Sequence, residues 1–238
     1  MKTLDLSKNS LSSLDARVAT LINLKNLNLE QNKFPAGSLV PIAKLTKLQS
    51  LSVGGNLLGK PIVTQETRVT KEAFPDPLPK GLKQLKVNHN FLSNVPRPIV
   101  SSSLTKLEKL DLSFNQLAAI PAELCNLVGL TDLNLNNNVI VGLPDNMGNL
   151  KKLKVLSLKS NHISVSSTKW SETNPQPLPK ALFVETPLID LNLHGNPMTS
   201  TQLNEMEGIE SFLERRQKVK TTTLLGGGLT NLDVCGLE

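Results

Sequence analysis

Apolar residues recur along this chain in a fixed motif, L-x-x-L-x-L-x-x-N-x-L, with mostly polar residues between them. The motif occurs eight times, at Met1–Leu11, Leu24–Phe34, Leu48–Leu58, Leu82–Leu92, Leu107–Leu117, Leu130–Ile140, Leu153–Ile163 and Leu188–Met198. A repeating period of this kind decides the fold before any single element is assigned. In the central L-x-L, successive side chains point to opposite sides of a short strand, so Leu110 and Leu112 face inward while Asp111 and Ser113 face out. One such coil leaves its apolar side open to water. Stacking coil on coil covers that side and makes the strands neighbours in a parallel sheet along the concave face of a solenoid.

An asparagine stands at the same place in every copy, where the chain turns away from the strand. Its amide suits the backbone groups that such a turn leaves unpaired, so Asn9, Asn32, Asn56, Asn90, Asn115, Asn138, Asn161 and Asn196 read as an internal structural ladder. The steps between them are 23, 24, 34, 25, 23, 23 and 35 residues, so two repeats carry an insertion. The offsets from Asn9 to Asn115, Asn32 to Asn138, Asn56 to Asn161 and Asn90 to Asn196 are 106, 106, 105 and 106, which marks a four-repeat unit duplicated in tandem. The insertions, about 59–76 and 164–176, are long for connections, and such loops are either functional or without fixed structure. Each copy carries a proline run, "FPDPLPKGL" and "NPQPLPKAL", whose spacing by two lacks the P-x-x-P register and predicts a stiffened return into the next strand. Trp170, the single tryptophan, lies in the second insertion, either as an anchor for a partner or as a pin holding the loop to the solenoid.

The repeats "LEKLDLSFNQLAAIPAELCNLVG" and "LTDLNLNNNVIVGLPDNMGNLKK" are 23 residues each, with Pro121 and Pro144 near the middle. In length and pattern they resemble the intracellular leucine-rich repeat family, Ras-group-like subclass, over roughly residues 1–200. The resemblance implies an α/β fold: a right-handed leucine-rich repeat solenoid with a parallel concave β-sheet, short helices or turns on the convex side, and a C-terminal capping helix. It also implies a cytoplasmic, non-catalytic scaffold that binds a partner protein in intracellular signalling, with small GTPase or phosphatase pathways as partner classes. The alternative is a substrate-recognition fragment of a larger multidomain enzyme or receptor.

The ends depart from the motif. Beyond a solenoid at 1–200, Leu203, Met206, Ile209 or Glu210, and Leu213 fall at helical spacing with Ser200 or Thr201 placed to cap, predicting an amphipathic capping helix at 201–220. The run Glu214, Arg215, Arg216 resembles the ending of such helices in the same family, and the basic cluster at a helix C-terminus complements the dipole. Residues 221–238 read as a flexible tail after three glycines. Cys235 stands four residues from the end, but Gly236 and Glu238 do not suit a prenylation box. Leu229, Leu232, Val234 and Leu237 are too apolar for a solvating tail, which leaves a docking strip, folded back or offered to a partner. At the other end Met1 already occupies the first position of a repeat, and the expectation is that the natural protein begins further upstream.

Composition narrows the function classes. Aromatic content is 3% with no tyrosine, so leucine packs the core. The net charge is +6, yet the 26 basic residues are interleaved with 20 acids and form no stripe in the sequence, which disfavours nucleic acid. No run of 18 apolar residues suggests a membrane span, and no N-x-Ser/Thr acceptor accompanies the many asparagines. His89, His162 and His194 sit in different repeats, and no metalloprotease, nucleophile-elbow, phosphate-loop or dinucleotide motif occurs, so no catalytic, cofactor or metal site is expected. Cys125 is expected in the core as an inert thiol. What remains is the concave face. Its expected partner-binding residues are Asn28, Glu30, Lys86, Asn88, His89, Asp111, Ser113, Phe114, Asn134, Asn136, Lys159 and His194. This polar, nearly neutral surface suits a wet protein interface better than a small apolar ligand.

Overall fold

The computed structural model describes residues 1–60, 62–63, 68–69, 72–101, 103–165, 176–223 and 235–237. The central leucine pairs build eight three-residue strands: β1 (Thr3–Asp5), β2 (Asn26–Asn28), β3 (Ser50–Ser52), β6 (Gln84–Lys86), β7 (Lys109–Asp111), β8 (Asp132–Asn134), β9 (Val155–Ser157) and β10 (Asp190–Asn192). They lie side by side in one sheet in that order, and β4 (Ile62–Val63) pairs with β5 (Arg68–Val69) as a separate antiparallel hairpin inside the first insertion. All neighbours in the large sheet are parallel and in register, so Leu85, Leu110, Leu133, Leu156 and Leu191 form one inward row. That row and the leucines or valines two residues on are buried in a continuous core. At the N-terminal edge Leu4, Leu6 and Leu11 are only partly buried against it.

The strands are short because the backbone turns left-handed just before each ladder asparagine. Lys8, Gln31, Gly55, His89, Phe114, Asn137, Ser160 and Gly195 all have φ between 53° and 73°. L-residues adopt this conformation only where the surroundings enforce it. The asparagine ladder supplies that enforcement. Asn115 Nδ2 donates to the carbonyls of Leu112 (2.9 Å), Ser113 (3.2 Å) and Val87 (3.1 Å), and its Oδ1 accepts from Leu92 N and Asn90 N, both at 3.0 Å. Asn32, Asn56, Asn138 and Asn161 likewise bridge their own turn to the preceding repeat, and all four are buried. Asn9, in the first of the eight motifs, is exposed, and its Nδ2 donates to Leu6 O and Ser7 O within its own turn.

On the convex side 3-10 turns occupy Ala16–Thr20, Val40–Lys44, Ala122–Asn126 and Asp145–Asn149, at matching places in the two four-repeat halves. The halves differ at the proline runs. Pro79 and Pro179 lie 100 residues apart while Leu82 and Leu188 lie 106 apart, so the second copy holds six extra residues. Those six form helix α1 (Lys180–Glu185), entered from Pro179 in extended conformation, with Leu182 and Phe183 buried. The second proline run therefore leads into a helix instead of straight into a strand. The second insertion, with Trp170, lies largely outside the described residues.

The expected capping helix at 201–220 is two helices, α2 (Ser200–Asn204) and α3 (Ile209–Thr223), because Gly208 at φ +83° breaks the path. The cap of α2 is Thr199, not Ser200 or Thr201: its hydroxyl accepts from Gln202 N, and Thr199 N donates to Gln202 Oε1 in a capping box. Leu203, Met206, Ile209 and Phe212 form the buried face, and Leu213 is only partly buried. Arg215 reaches back, donating to the carbonyls of Phe183 and Leu188, and burial lowers its pKa. It thus bonds a carbonyl in the last turn of α1 and does more than complement a dipole.

Within the expected flexible tail, Cys235 and Leu237 are buried. Leu193 N donates to Cys235 O at 2.7 Å, in the role that Asn192 O plays for Leu158 N one repeat earlier at 2.8 Å. Arg216 Nη1 also donates to Cys235 Sγ at 3.8 Å. The Cys235 carbonyl thus stands where a ninth strand would continue the ladder. Leu237→Ala should lower unfolding free energy by about 2 kcal/mol. A urea titration showing no change would mean that this segment contributes nothing to closing the array.

Candidate protein-binding face

Along each strand the side chains opposite the core form three outward columns. Thr3, Asn26, Ser50, Gln84, Lys109, Asp132, Val155 and Asp190 form the first, which sequence reasoning missed. Carrying the two-residue alternation one step N-terminal of the L-x-L would have found it. The second column runs from Asp5 to Asn192 and the third from Ser7 to His194. Where the first two columns cross β6–β9 they line a depression of about 300 Å³, floored by Leu85, Leu110 and Leu133 and rimmed by Lys86, Lys109, Asp111, Asp132 and Asn134. The expected residues Lys86, Asp111, Asn134 and Asn136 meet there.

Much of the polarity on this face is already used by the fold. In the second column the Oδ1 of Asp5, Asn28, Asp111, Asn134 and Asn192 accepts from the backbone N–H two residues on, at 2.8–3.1 Å. Such Asx turns guide the strand exit. At Asp5 the bonds from Ser7 hold the carboxyl below its usual pKa, although the group is fully exposed. Ser113 is 3% exposed, with its hydroxyl on Asp111 at 2.6 Å, so it is not open to a partner. Asn136 Oδ1 accepts from Ser157 Oγ and Lys159 N, each at 2.7 Å. Asn88 lies over Gly54 with its Oδ1 buried and unbonded. His194 is taken by the C-terminal segment, its Nδ1 facing Gly236 O at 3.1 Å. Asn28 and Glu30 lie on β2 and just after it, away from the depression, and Lys159 is exposed beyond β9.

Lys86 is different. It occupies the second column where an Asx turn would need Asp or Asn, and so projects toward the depression without that local duty. Lys109 approaches Asp132 at 3.8 Å across the next strand pair. At the C-terminal ends of the strands the rings of His89 and Phe114 stack, with centroids 4.1 Å apart and planes 12° from parallel. Phe114 remains 47% exposed, and Phe91 nearby, 42% exposed, lies beneath the Lys60 ammonium at 4.5 Å. This edge therefore combines apolar, aromatic and cationic groups with left-handed backbones that fix their direction.

The thiol of Cys125 belongs to the core. It is fully buried, its pKa is pushed up by burial to about 11, and it contacts Met147 Sδ at 3.8 Å. Among the described residues no group of His, Cys, Asp and Glu is arranged to hold a metal ion, and no helix is long and apolar enough to cross a membrane.

Residues 80–140, which contain β6–β8 and the His89–Phe114 stack, match the family described as Leucine rich repeat. Over about half of this chain three curated proteins are similar. A probable serine/threonine-protein kinase, pats1 of Dictyostelium discoideum, is 31% identical across 53% of this chain and 4% of its own length. Osteomodulin of Rattus norvegicus is 30% identical across 50% of this chain and 25% of its own. Podocan of Mus musculus is 30% identical across 49% and 17%. The chain thus spans a quarter or less of each of these relatives. Among solved structures, internalin C2 of Listeria monocytogenes superposes with a TM-score of 0.60 at 22% identity, covering 87% of this chain and 77% of that one. The complex of latrophilin 3, Unc5D and the leucine-rich repeats of FLRT2 gives a TM-score of 0.64 at 18% identity, covering 87% and 59%.

Proposed function

We propose that this leucine-rich repeat solenoid is a non-catalytic scaffold whose concave face binds a partner protein across β6–β9. The observation that carries the reading is the depression on those strands, flanked by the exposed His89–Phe114 stack. A rigid aromatic pair beside a hollow with a lysine and carboxylate rim has the anatomy of an interface centre. Leucine-rich repeats are an interaction architecture, and one structure of similar fold holds them within an octameric complex with other proteins. The 23-residue repeats further support placement in the Ras-group-like subclass, hence a cytoplasmic signalling scaffold with a GTPase or phosphatase-pathway partner.

The test is quantitative partner recovery by wild type and by a Phe114→Ala, Asn134→Arg double variant. Loss of roughly tenfold or more in recovered partner, with an unchanged melting temperature, is the expected result. Equal recovery by both proteins would remove this face from the interface. The kinase relative, of which this chain spans 4%, favours a second reading in which the array selects substrates for a larger multidomain enzyme. Co-purification with a catalytic domain encoded on the same transcript would distinguish it.

A further inference from the structure

Lysines that are scattered along the sequence come to lie along one edge once the repeats stack. The residue just before each strand pair is carried along one backbone ladder: Gln49 N donates to Lys25 O, Lys83 N to Gln49 O, Glu108 N to Lys83 O, Thr131 N to Glu108 O and Lys154 N to Thr131 O, each at 2.8–2.9 Å. Lys25, Lys83 and Lys154 therefore stand in one column at the N-terminal ends of the strands. The position two residues earlier places Lys47, Lys106 and Lys152 beside it, and Lys47 Nζ touches Asn23 Oδ1 across one repeat at 2.7 Å. Of these six, all but Lys25 are exposed, and Lys25 is half-buried. Lys83 pairs with Glu108 at 3.2 Å. Among the described residues the other five meet no carboxylate in an ion pair.

We propose that this edge is a second docking surface, for an extended acidic polypeptide segment. From Lys25 to Lys154 it crosses five strand steps, about 24 Å at a strand spacing of about 4.8 Å, which matches an extended segment of about seven residues. Opposite charge along a line of that length fixes both the sign and the extended shape of the occupant. A single-stranded nucleic acid needs aromatic platforms as well as cations. Of the six phenylalanines, Phe34, Phe74, Phe183 and Phe212 are buried, and Phe91 and Phe114 lie at the other ends of the strands. The edge is also separate from the His89–Phe114 stack, so it stands whether or not that stack binds a partner.

The experiment measures anisotropy of a labelled octaglutamate peptide with the full chain at low salt. Wild type should bind with steep salt dependence, and a Lys47→Glu, Lys106→Glu, Lys154→Glu variant should bind roughly tenfold or more weakly at the same melting temperature. The neutral Lys47→Gln, Lys106→Gln, Lys154→Gln variant should fall between them and guards against a folding defect. The Phe114→Ala variant, which leaves the charge unchanged, should bind the peptide as wild type does. No binding by wild type, equal binding by the reversed variant, or tighter binding of an octauridylate than of octaglutamate would each overturn the proposal.

Discussion

Replacing Asn115 by alanine is expected to lower the stability of the array by about 3–5 kcal/mol, an unusually large effect for a polar residue. The side chain is buried and makes five hydrogen bonds, two accepted from the backbone of the preceding turn and three donated to carbonyls of two repeats. Alanine removes all of them while their backbone partners stay out of water, and each orphaned group costs about 1–3 kcal/mol before relaxation. The left-handed Phe114 next to it also loses the contacts that hold its backbone. Asn9→Ala provides the control, because Asn9 is exposed and its amide donates within its own turn. It should cost less than about 1 kcal/mol. Urea unfolding of both variants, with hydrogen exchange at Leu92 and Asn90, would show whether the ladder holds neighbouring repeats together. Equal losses for the two asparagines would contradict that role.

Gly129→Ala should cost about 1–3 kcal/mol, whereas Gly54→Ala should cost much less. A Cβ at Gly129 would meet Thr105 O at 2.4 Å and Leu107 O at 3.0 Å, both backbone atoms of the preceding repeat. Relief requires two coils to move apart, and the core behind them is close-packed. A Cβ at Gly54 would meet an equally near atom, Asn88 Oδ1 at 2.5 Å, but this belongs to a side chain on the open face. Rotation of Asn88 removes that clash and frees an oxygen that has no bond to lose. Thermal melts of the two variants decide between them. A larger loss at Gly54 would mean that the concave face is as tightly set as the coil-to-coil contact.

The array was legible because its signals lie within one repeat. Alternation around L-x-L assigns faces, and the asparagine in register assigns the turn. What escaped were features that depend on stacking or on the ends. The lysine edge is invisible in the sequence because Lys25, Lys83 and Lys154 are separated by whole repeats and fall into one column, with Gln49, Glu108 and Thr131 between them, only through the backbone ladder. Ser113 and His194 looked open from alternation alone. Neither the Asp111 bond that buries the first nor the returning Gly236 that engages the second follows from local pattern. Thr199 outranks Ser200 as a cap because Gln202 completes a reciprocal pair with it, an i to i+3 relation that was present in the sequence and overlooked. Helix α1 arose from six residues of difference between two proline runs that otherwise look equivalent.

The measurement closest to the central proposal is site-specific photocrosslinking in the native cell, with the reactive group placed at Asn134 in the depression or at Glu123 on the convex 3-10 turn. Binding through the concave face predicts a discrete crosslinked partner from position 134 that is absent from position 123 and is lost when Phe114→Ala is added. The same partner trapped from position 123 and not from 134 would contradict the account.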